Sequence, residues 1–499
     1  MVTKTSHAPE TFSHDQKGPT EWDAISWPGV RKKVMRLQMR IAKATREGKH
    51  RKANLLSWIL THSYYAKLLA VKRVTTNKGK NTAGVDGVIW KTSAQKIAAL
   101  AALNRHGYKP MPLRRHYIPK KNGKKRPLGI PTMRDRATQA LYALALKPIA
   151  ETRGDPNSYG FRDGRSCQDA IQQVFNALAK SYSAQWILEG DIKSCFDEIS
   201  HAWLLENIPM DKKILQAWLE AGYVEEGQRF PTKEGTPQGG IISPILANMT
   251  LDGLEKTIYG PNKRNRQLVN VIRFADDFVA TGRTKELLDN EALPATKRFL
   301  NPRGLKLSDE KTLITNIDDG FDFLGFHVRK YNGKLLIKPA KKSVAALLEK
   351  VRDTIKSMRG ARPEVLIGKL NPIIRGWLNY HKYVAAKKTF KNVDWHIDKL
   401  LKNWAKRRHP EKRIRWIVRK YFSSAAVKGV FSTRVKIENA VYKVYALVKT
   451  SLAPILRHIK VQQKANRFDP AYQAYFKERR RWNAVTALDR QKVYRLRAA

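Results

Sequence analysis

Apolar residues recur at helical spacing near the start of the chain and again in its last third, with strand-like runs between. After Pro28, which suits a first helical turn, Val30, Val34, Leu37 and Ile41 fall on one face with basic residues between them. A second helix is expected from about Arg51 to Ala70 on Leu55, Leu56, Ile59 and Leu60; Thr76–Lys80 and Gly84-Val85-Asp86-Gly87 then read as loop. From Arg114 to Pro131 the pattern becomes two strands around Asn122-Gly123, a strong two-residue turn signal. Arg134–Glu151 is expected as a helix with Ala137, Ala140, Leu141 and Leu144 on one face. Ala170, Val174 and Leu178 mark another. Trp186–Asp191 reads as a strand, Pro244 opens a helix, and Val269–Gly282 reads as a hairpin. Beyond Pro339 the helical period returns, with Ile373, Trp377, Tyr380 and Val384 on one face and Leu400, Leu401 and Trp404 on another. Aromatic residues so spaced suit a core better than a base-stacking platform.

Composition narrows the partner. The 499 residues include 96 Lys and Arg against 43 Asp and Glu, a net charge of +53. Such an excess calls for a polyanion, and nucleic acid comes first. No apolar run approaches the roughly 18 residues of a transmembrane helix, so a membrane partner is not expected. The polar first 25 residues are expected to be disordered and contain no signal or transit peptide. Cys167 and Cys195 are too few for a disulfide framework or a cysteine zinc site, which suits a reduced, cytoplasmic protein. Residues 341–499 carry 40 Lys and Arg against 10 Asp and Glu, over half of the net charge. The carboxy-terminal third is therefore expected to serve phosphate contacts.

Three acids stand out against that basic background. Asp276 and Asp277 lie at the expected hairpin tip, where adjacent carboxylates repel each other. The pair reads either as a solvated turn or as a cation site. Asp191, at the end of its own strand with Phe196 five residues later, shifts the balance. One strand-end aspartate plus an Asp-Asp hairpin, on neighbouring strands, meets the needs of two-Mg²⁺ nucleotidyl transfer. The turn-rich Gly235–Pro244 loop and the basic hairpin with Lys120, Lys121, Lys124, Lys125 and Arg126 would then handle base pair and triphosphate. From its segment alone, that hairpin is equally well a merely exposed one.

The ordered set DIKSCFD, TPQGGIISPILAN, FADD, GLKLSDEKT and FLGF resembles the polymerase motifs of reverse transcriptases, and most closely those of group II intron-encoded reverse transcriptase/maturases. GVDG, YIPKKNGKKRPLGIP, NSYGFRDGR and PIIRGWLNYHKY extend the resemblance from about Trp27 to the end. It implies an α+β right-hand polymerase of fingers, palm and α-helical thumb with a basic helical C-terminal extension. The implied parts are a disordered 1–25, an N-terminal extension and start of fingers over 26–110, and fingers and palm over 111–335. A thumb or maturase domain over 336–410 and a basic DNA-binding region over 411–499 follow.

By position, the resemblance implies Asp191, Asp276 and Asp277 as catalytic metal ligands, with the Ile192 main chain beside them. Phe196 matches the gate that excludes a 2′-hydroxyl. Lys120 and Arg126 match triphosphate-binding residues, and Gln238 and Gly239 match the loop on the template–nucleotide pair. Lys311 is either near the pyrophosphate or a solvated strand lysine. Arg162, Arg165, Arg375, Trp377, Lys406, Arg407 and Arg408 are candidate nucleic-acid contacts. Implied cofactors and substrates are two Mg²⁺ ions and dNTPs. Implied partners are a group II intron RNA, a DNA target site and an RNA template with DNA primer, in a cytoplasmic, nucleoid-associated ribonucleoprotein. Two departures stand out: Phe274 replaces the usual tyrosine, and no Cys-x-x-Cys pair marks a terminal endonuclease domain, so bottom-strand cleavage is not expected.

Three functions compete on this reading. The first is an RNA-directed DNA polymerase that also aids splicing and retrohoming of its intron. The second is an RNA-binding splicing cofactor without polymerase activity, which would have no need of all three aspartates. The third is an RNA-directed RNA polymerase, against which bulky Phe196 counts.

Overall fold

The strands of the computed structural model are, in chain order, β1 (Leu113–Pro119), β2 (Lys125–Ile130), β3 (Trp186–Asp191), β4 (Tyr223–Glu225), β5 (Gln228–Phe230), β6 (Asn270–Phe274), β7 (Asp277–Gly282), β8 (Leu313–Asn316), β9 (Phe321–Phe323), β10 (Phe326–Tyr331), β11 (Lys334–Pro339), β12 (Ser432–Glu438) and β13 (Val441–Ala446). The residues described are 21–119, 123, 125–237, 239–260, 269–423, 429–438 and 441–482. Of the disorder expected over residues 1–25, residues 1–20 lie outside them, as do the sites expected at Lys120 and Gln238; residues 21–25 are ordered, because Trp22 and Ile25 are buried. The chain divides into two compact units, one formed by residues 1–153 with 196–247, the other by 154–195 with 248–499.

The first unit is mainly helical with one sheet. The helix Trp27–Arg46 has Pro28 in its first turn and buries Val30, Val34 and Ile41, as the spacing predicts. The single helix expected over 51–70 is instead two, His50–His62 and Tyr64–Thr76, because Ser63 between them is extended. The helix Met133–Arg153 is buried on nearly every side rather than on one face. Its polar residues tolerate this because each has a partner. Asp135 accepts from the Tyr108 and Thr132 hydroxyls, both at 2.7 Å. Arg136 donates to the Gly79 carbonyl at 3.0 Å, and Gln139 accepts from the Ile241 N–H at 2.8 Å. The sheet runs in the order β2-β1-β4-β5, with β1 antiparallel to β2 and parallel to β4.

The second unit is built on an antiparallel sheet of order β6-β7-β3-β8. The helix Cys167–Leu178 starts in a capping box made by Ser166 and Asp169, and its Ala170, Val174 and Leu178 pack with Ile187, Ile272 and Val279 of the sheet. A smaller sheet, β11-β10-β9, follows. Three long helices, Lys341–Ser357, Pro363–His381 and Lys387–Arg408, then enclose a second core that includes Val351, Leu370, Ile374, Ile397 and Trp404. The expectation of a helical C-terminal extension needs correction. After the helix Ile414–Tyr421, β12 and β13 form a hairpin, and 453–469 is largely irregular. Irregular chain can pack here because it inserts Val461 and Ala465 into the core that Ile187 of β3 shares, where Phe476 of the helical stretch 473–482 joins them.

Candidate active site

Residue pairing between β3 and β7 sets Asp191 directly opposite Asp277. Across the hairpin, Phe274 pairs with Asp277, so the connecting turn is Ala275-Asp276. The expected Asp-Asp tip is thus one turn residue and one strand residue. Ala275 holds a left-handed φ of 60°, which an alanine adopts only at a cost of about 1–2 kcal/mol. Close packing surrounds this corner. A Cβ on Gly160 would lie 2.3 Å from the Ala275 nitrogen, and one on Gly190 would lie 2.2 Å from the Phe278 ring. Either position therefore excludes any larger residue. The Asp191 carbonyl accepts from the Ser308 N–H at 2.8 Å, and buried Ile192 bridges to Leu307.

Electrostatics make three charged carboxylates unfavourable at this corner. Although Asp277 as a residue is solvent-exposed, desolvation by its packed surroundings, and then repulsion by Asp276 and Asp191, pushes its carboxyl up to about 7, with Lys311 acting in the opposite sense. The Lys311 ammonium lies 2.8 Å from Asp191, and that hydrogen bond raises its own pKa. Among the described residues no group of three or more His, Cys, Asp or Glu side chains forms a ready-made ion cage. The donors nonetheless fit Mg²⁺: they are hard carboxylate oxygens, and crowding them without a divalent ion is unfavourable.

Behind the turn sits a residue that pattern reading passed over. Arg273 is 2% exposed. Its guanidinium donates to Asp252 at 2.7 Å, to the Asn248 side chain at 3.2 Å and to the Ala275 carbonyl at 3.3 Å. Asn248 in turn donates to the Gly160 carbonyl at 2.8 Å. The signal was available: an arginine in an otherwise apolar strand, three residues before Asp276.

In the first unit, the Phe196 carbonyl accepts from the Thr236 N–H at 2.6 Å. Gly239 has φ +120°, and a Cβ there would meet the Gly129 carbonyl at 2.6 Å. The Gly235–Pro244 loop thus lies against β2, the strand that carries exposed Arg126. A hollow of about 590 Å³ bordered by Arg115, Gly129, Asp197, Thr236 and Pro237 opens beside them.

Comparison with known families agrees with this geometry. The N-terminal domain of reverse transcriptase matches residues 22–103, the reverse transcriptase (RNA-dependent DNA polymerase) family matches 118–328, and the group II intron maturase-specific domain matches 344–422. Protein YkfC of Escherichia coli is 33% identical over 344 residues, covering 57% of this chain and 89% of YkfC. The group II intron-encoded protein LtrA of Lactococcus lactis is 31% identical over 364 residues, or 58% of this chain and 60% of LtrA. The chain belongs to the group II intron reverse transcriptase/maturase family. Family membership brings the right-hand polymerase fold and RNA-directed DNA polymerase and maturase domains. The chain spans about three-fifths of LtrA's length. A telomerase structure from Candida albicans aligns with a TM-score of 0.35 and 12% identity over 62% of this chain and 64% of that one.

The candidate nucleic-acid contacts of this reverse transcriptase/maturase chain fall into two groups. Arg162 donates to the Ser158 carbonyl at 3.1 Å, and Arg165 to the carbonyls of Pro156 at 2.7 Å and Gln463 at 3.0 Å, so both brace the loop that carries them. Trp377 donates to the Ser343 hydroxyl at 3.1 Å and packs 5.7 Å from Phe390, in the core. Arg375, Lys406, Arg407 and Arg408 are exposed. The last three end a 22-residue helix, where cations also favour the helix dipole, and Arg408 donates to the Ala361 carbonyl at 2.7 Å.

Proposed function

We propose that this chain copies RNA into DNA at Asp191, Asp276 and Asp277 during retrohoming of its group II intron, and that it binds the intron RNA to assist splicing. The observation that carries this is the β3–β7 register with Asp191 opposite Asp277 and Asp276 in the adjoining turn. Asp191, Asp276, Asp277 and the Ile192 main chain would hold two Mg²⁺ ions. Bound there, such ions supply activation of the attacking hydroxyl and charge neutralisation at the leaving pyrophosphate.

The chain's own residues do the rest. Lys311, already on Asp191, supplies positive charge on the side where pyrophosphate charge develops. Lys120 and Arg126 clamp the triphosphate, Gln238 and Gly239 border the template–nucleotide pair, and Phe196 excludes a 2′-hydroxyl. The helices between Lys341 and Arg408 act as the thumb. Exposed Arg375 and Lys406–Arg408, together with the basic chain beyond Glu411, hold intron RNA and target DNA through phosphates.

Primer extension on an RNA template with dNTPs and Mg²⁺, run beside a splicing assay, tests this. Wild type should extend the primer. D276A should make no product yet still bind RNA and support splicing. Wild type that splices without extending would make the chain a splicing cofactor and overturn the polymerase role.

A further inference from the structure

A hollow of about 350 Å³ opens within the second unit, where the Gly164–Asp169 loop meets residues 458–480. Its size is at the lower end of small-ligand sites, which begin at about 300 Å³. Arg165, Arg467, Arg479 and Arg480 line it against a single carboxylate, Asp169.

Two of these arginines are spent on the fold. Arg165 braces its own loop and the Gln463 carbonyl. Arg479 donates to the Gly164 carbonyl at 2.6 Å and to Asp169 at 2.7 Å. The other two are not. Arg467 is half-buried, and among the described residues its guanidinium makes no hydrogen bond or ion pair, only a ring contact 5.9 Å from Phe476. Arg480 commits one nitrogen, Nε, to the Phe476 carbonyl at 3.2 Å. A guanidinium carries five N–H donors in a fork matched to phosphate oxygens; Arg480 presents its fork to solvent, and partial burial strips water from that of Arg467.

The remaining wall is aromatic. Tyr383 and Phe476 face the hollow, and His458 meets Tyr383 edge-on at 5.3 Å. His458 is anchored by Asp169 at 2.9 Å, so this wall is held in place. Cationic donors opposite ring surface are what a nucleotide recognises, through its phosphate and its base.

We propose that this hollow takes one phosphate-bearing nucleotide of a single-stranded nucleic acid, with the phosphate on Arg467 and Arg480 and the base or sugar against Tyr383 and Phe476. The inference rests on the polymerase/maturase reading only in preferring a polynucleotide to a free nucleotide. The same loop links both sites: Gly160 abuts the Ala275 turn and Gly164 forms part of the hollow.

The test uses the full chain with an RNA and a DNA oligonucleotide of one sequence, each bearing a single photoreactive 4-thiopyrimidine, and maps cross-links by mass spectrometry. Cross-links should fall on Tyr383 or within 458–480. The double variant R467A/R480A should lower that yield about tenfold, the loss expected for a charge-assisted hydrogen bond to phosphate. It should also flatten the log–log salt dependence of binding by about 0.7 for each phosphate no longer neutralised. R467K/R480K should restore the salt dependence, which a merely structural role would not.

Cross-linking of both oligonucleotides supports the shared phosphate-and-base chemistry; cross-linking of one alone supports it and identifies the source. Absence of cross-links there, yields indifferent to both arginine variants, or equal displacement by free dNTP would overturn the proposal. Primer extension by wild type in parallel separates the two readings, since its loss with these cross-links intact would count against the polymerase alone.

Discussion

The Arg273 guanidinium donates to the carbonyl of Ala275, 3.3 Å away, so a buried cation grips the β6–β7 turn that holds Asp276 and leads into Asp277. Its other arm is held by Asp252 at 2.7 Å. Because both partners are sequestered, removing the guanidinium leaves a buried carboxylate without its counter-ion. R273A is expected to destabilise the chain by about 3–5 kcal/mol. R273K keeps the charge but lacks the planar fork, so the turn loses a fixed point. Turnover should fall by roughly 10²-fold, as for a misplacement of about 1 Å, with KM for dNTP and thermal midpoint little changed. An R273K enzyme with wild-type turnover would remove Arg273 from the positioning of the site.

Lys311 and a divalent ion want the same carboxylate. The lysine side chain is 64% exposed, so its ion pair contributes little to stability, about 1 kcal/mol or less. K311A should leave the thermal midpoint almost unmoved. It should strengthen Mn²⁺ binding, read by electron paramagnetic resonance, because a competitor for Asp191 is gone. Turnover should nonetheless drop, since positive charge near the leaving group is removed. Weaker Mn²⁺ binding in K311A would show the lysine to be a helper of the ion rather than its rival.

Asp169 clasps the C-terminal segment to the start of the Cys167–Leu178 helix. Fully buried, it accepts from His458 at 2.9 Å, the Val461 N–H at 2.7 Å and Arg479 at 2.7 Å. Although burial alone would raise its pKa, these donors, His458 foremost, hold it below the ordinary carboxylate value. A depressed carboxylate stabilises the fold above its unfolded pKa, near 4, and the benefit disappears as pH falls through the lower folded value. D169N should free residues 458–480 to proteolysis at neutral pH. Wild type should show the same release only in acid. Equal protection of wild type and D169N at pH 7 would contradict the clasp.

His381 predicts a different window. Nearly unexposed among Phe326, Trp377 and Tyr380, it is pushed down to about 4 by burial. The folded state therefore holds it neutral while the unfolded state protonates below about 6.5. Stability should be complete above that pH and decline as pH falls toward 4, by about 3 kcal/mol in all. Urea unfolding of wild type and H381F at pH 7 and 4.5 measures it. The variant should lose less stability between the two, and parallel losses would exclude His381 as the cause.

Much of this protein was legible along the chain. The apolar period marked the helix at Trp27–Arg46, two of the three long helices after Pro339 and the strands ending at Asp191 and Phe274, since those segments bury one face or both and must repeat with their own geometry. Asp191, Asp276 and Asp277 were legible as candidates because each falls at or beside the end of an apolar, strand-like run. The break at Ser63 was not legible, because helix-compatible residues flank it on both sides.

Other features exist only once the chain is folded. Pairing between distant strands sets Asp191 opposite Asp277, because register depends on which strands become neighbours. Whether a charge is buried depends on who surrounds it. Arg273 is an arginine in a strand-like run with no visible partner until Asn248, Asp252 and Ala275 close around it, and Asp169 is like any capping residue until a segment nearly 300 positions later arrives to donate to it. Local sequence specifies periodicity and end signals; partners far along the chain decide what a polar side chain meets, because desolvation and hydrogen bonding are set by three-dimensional neighbours.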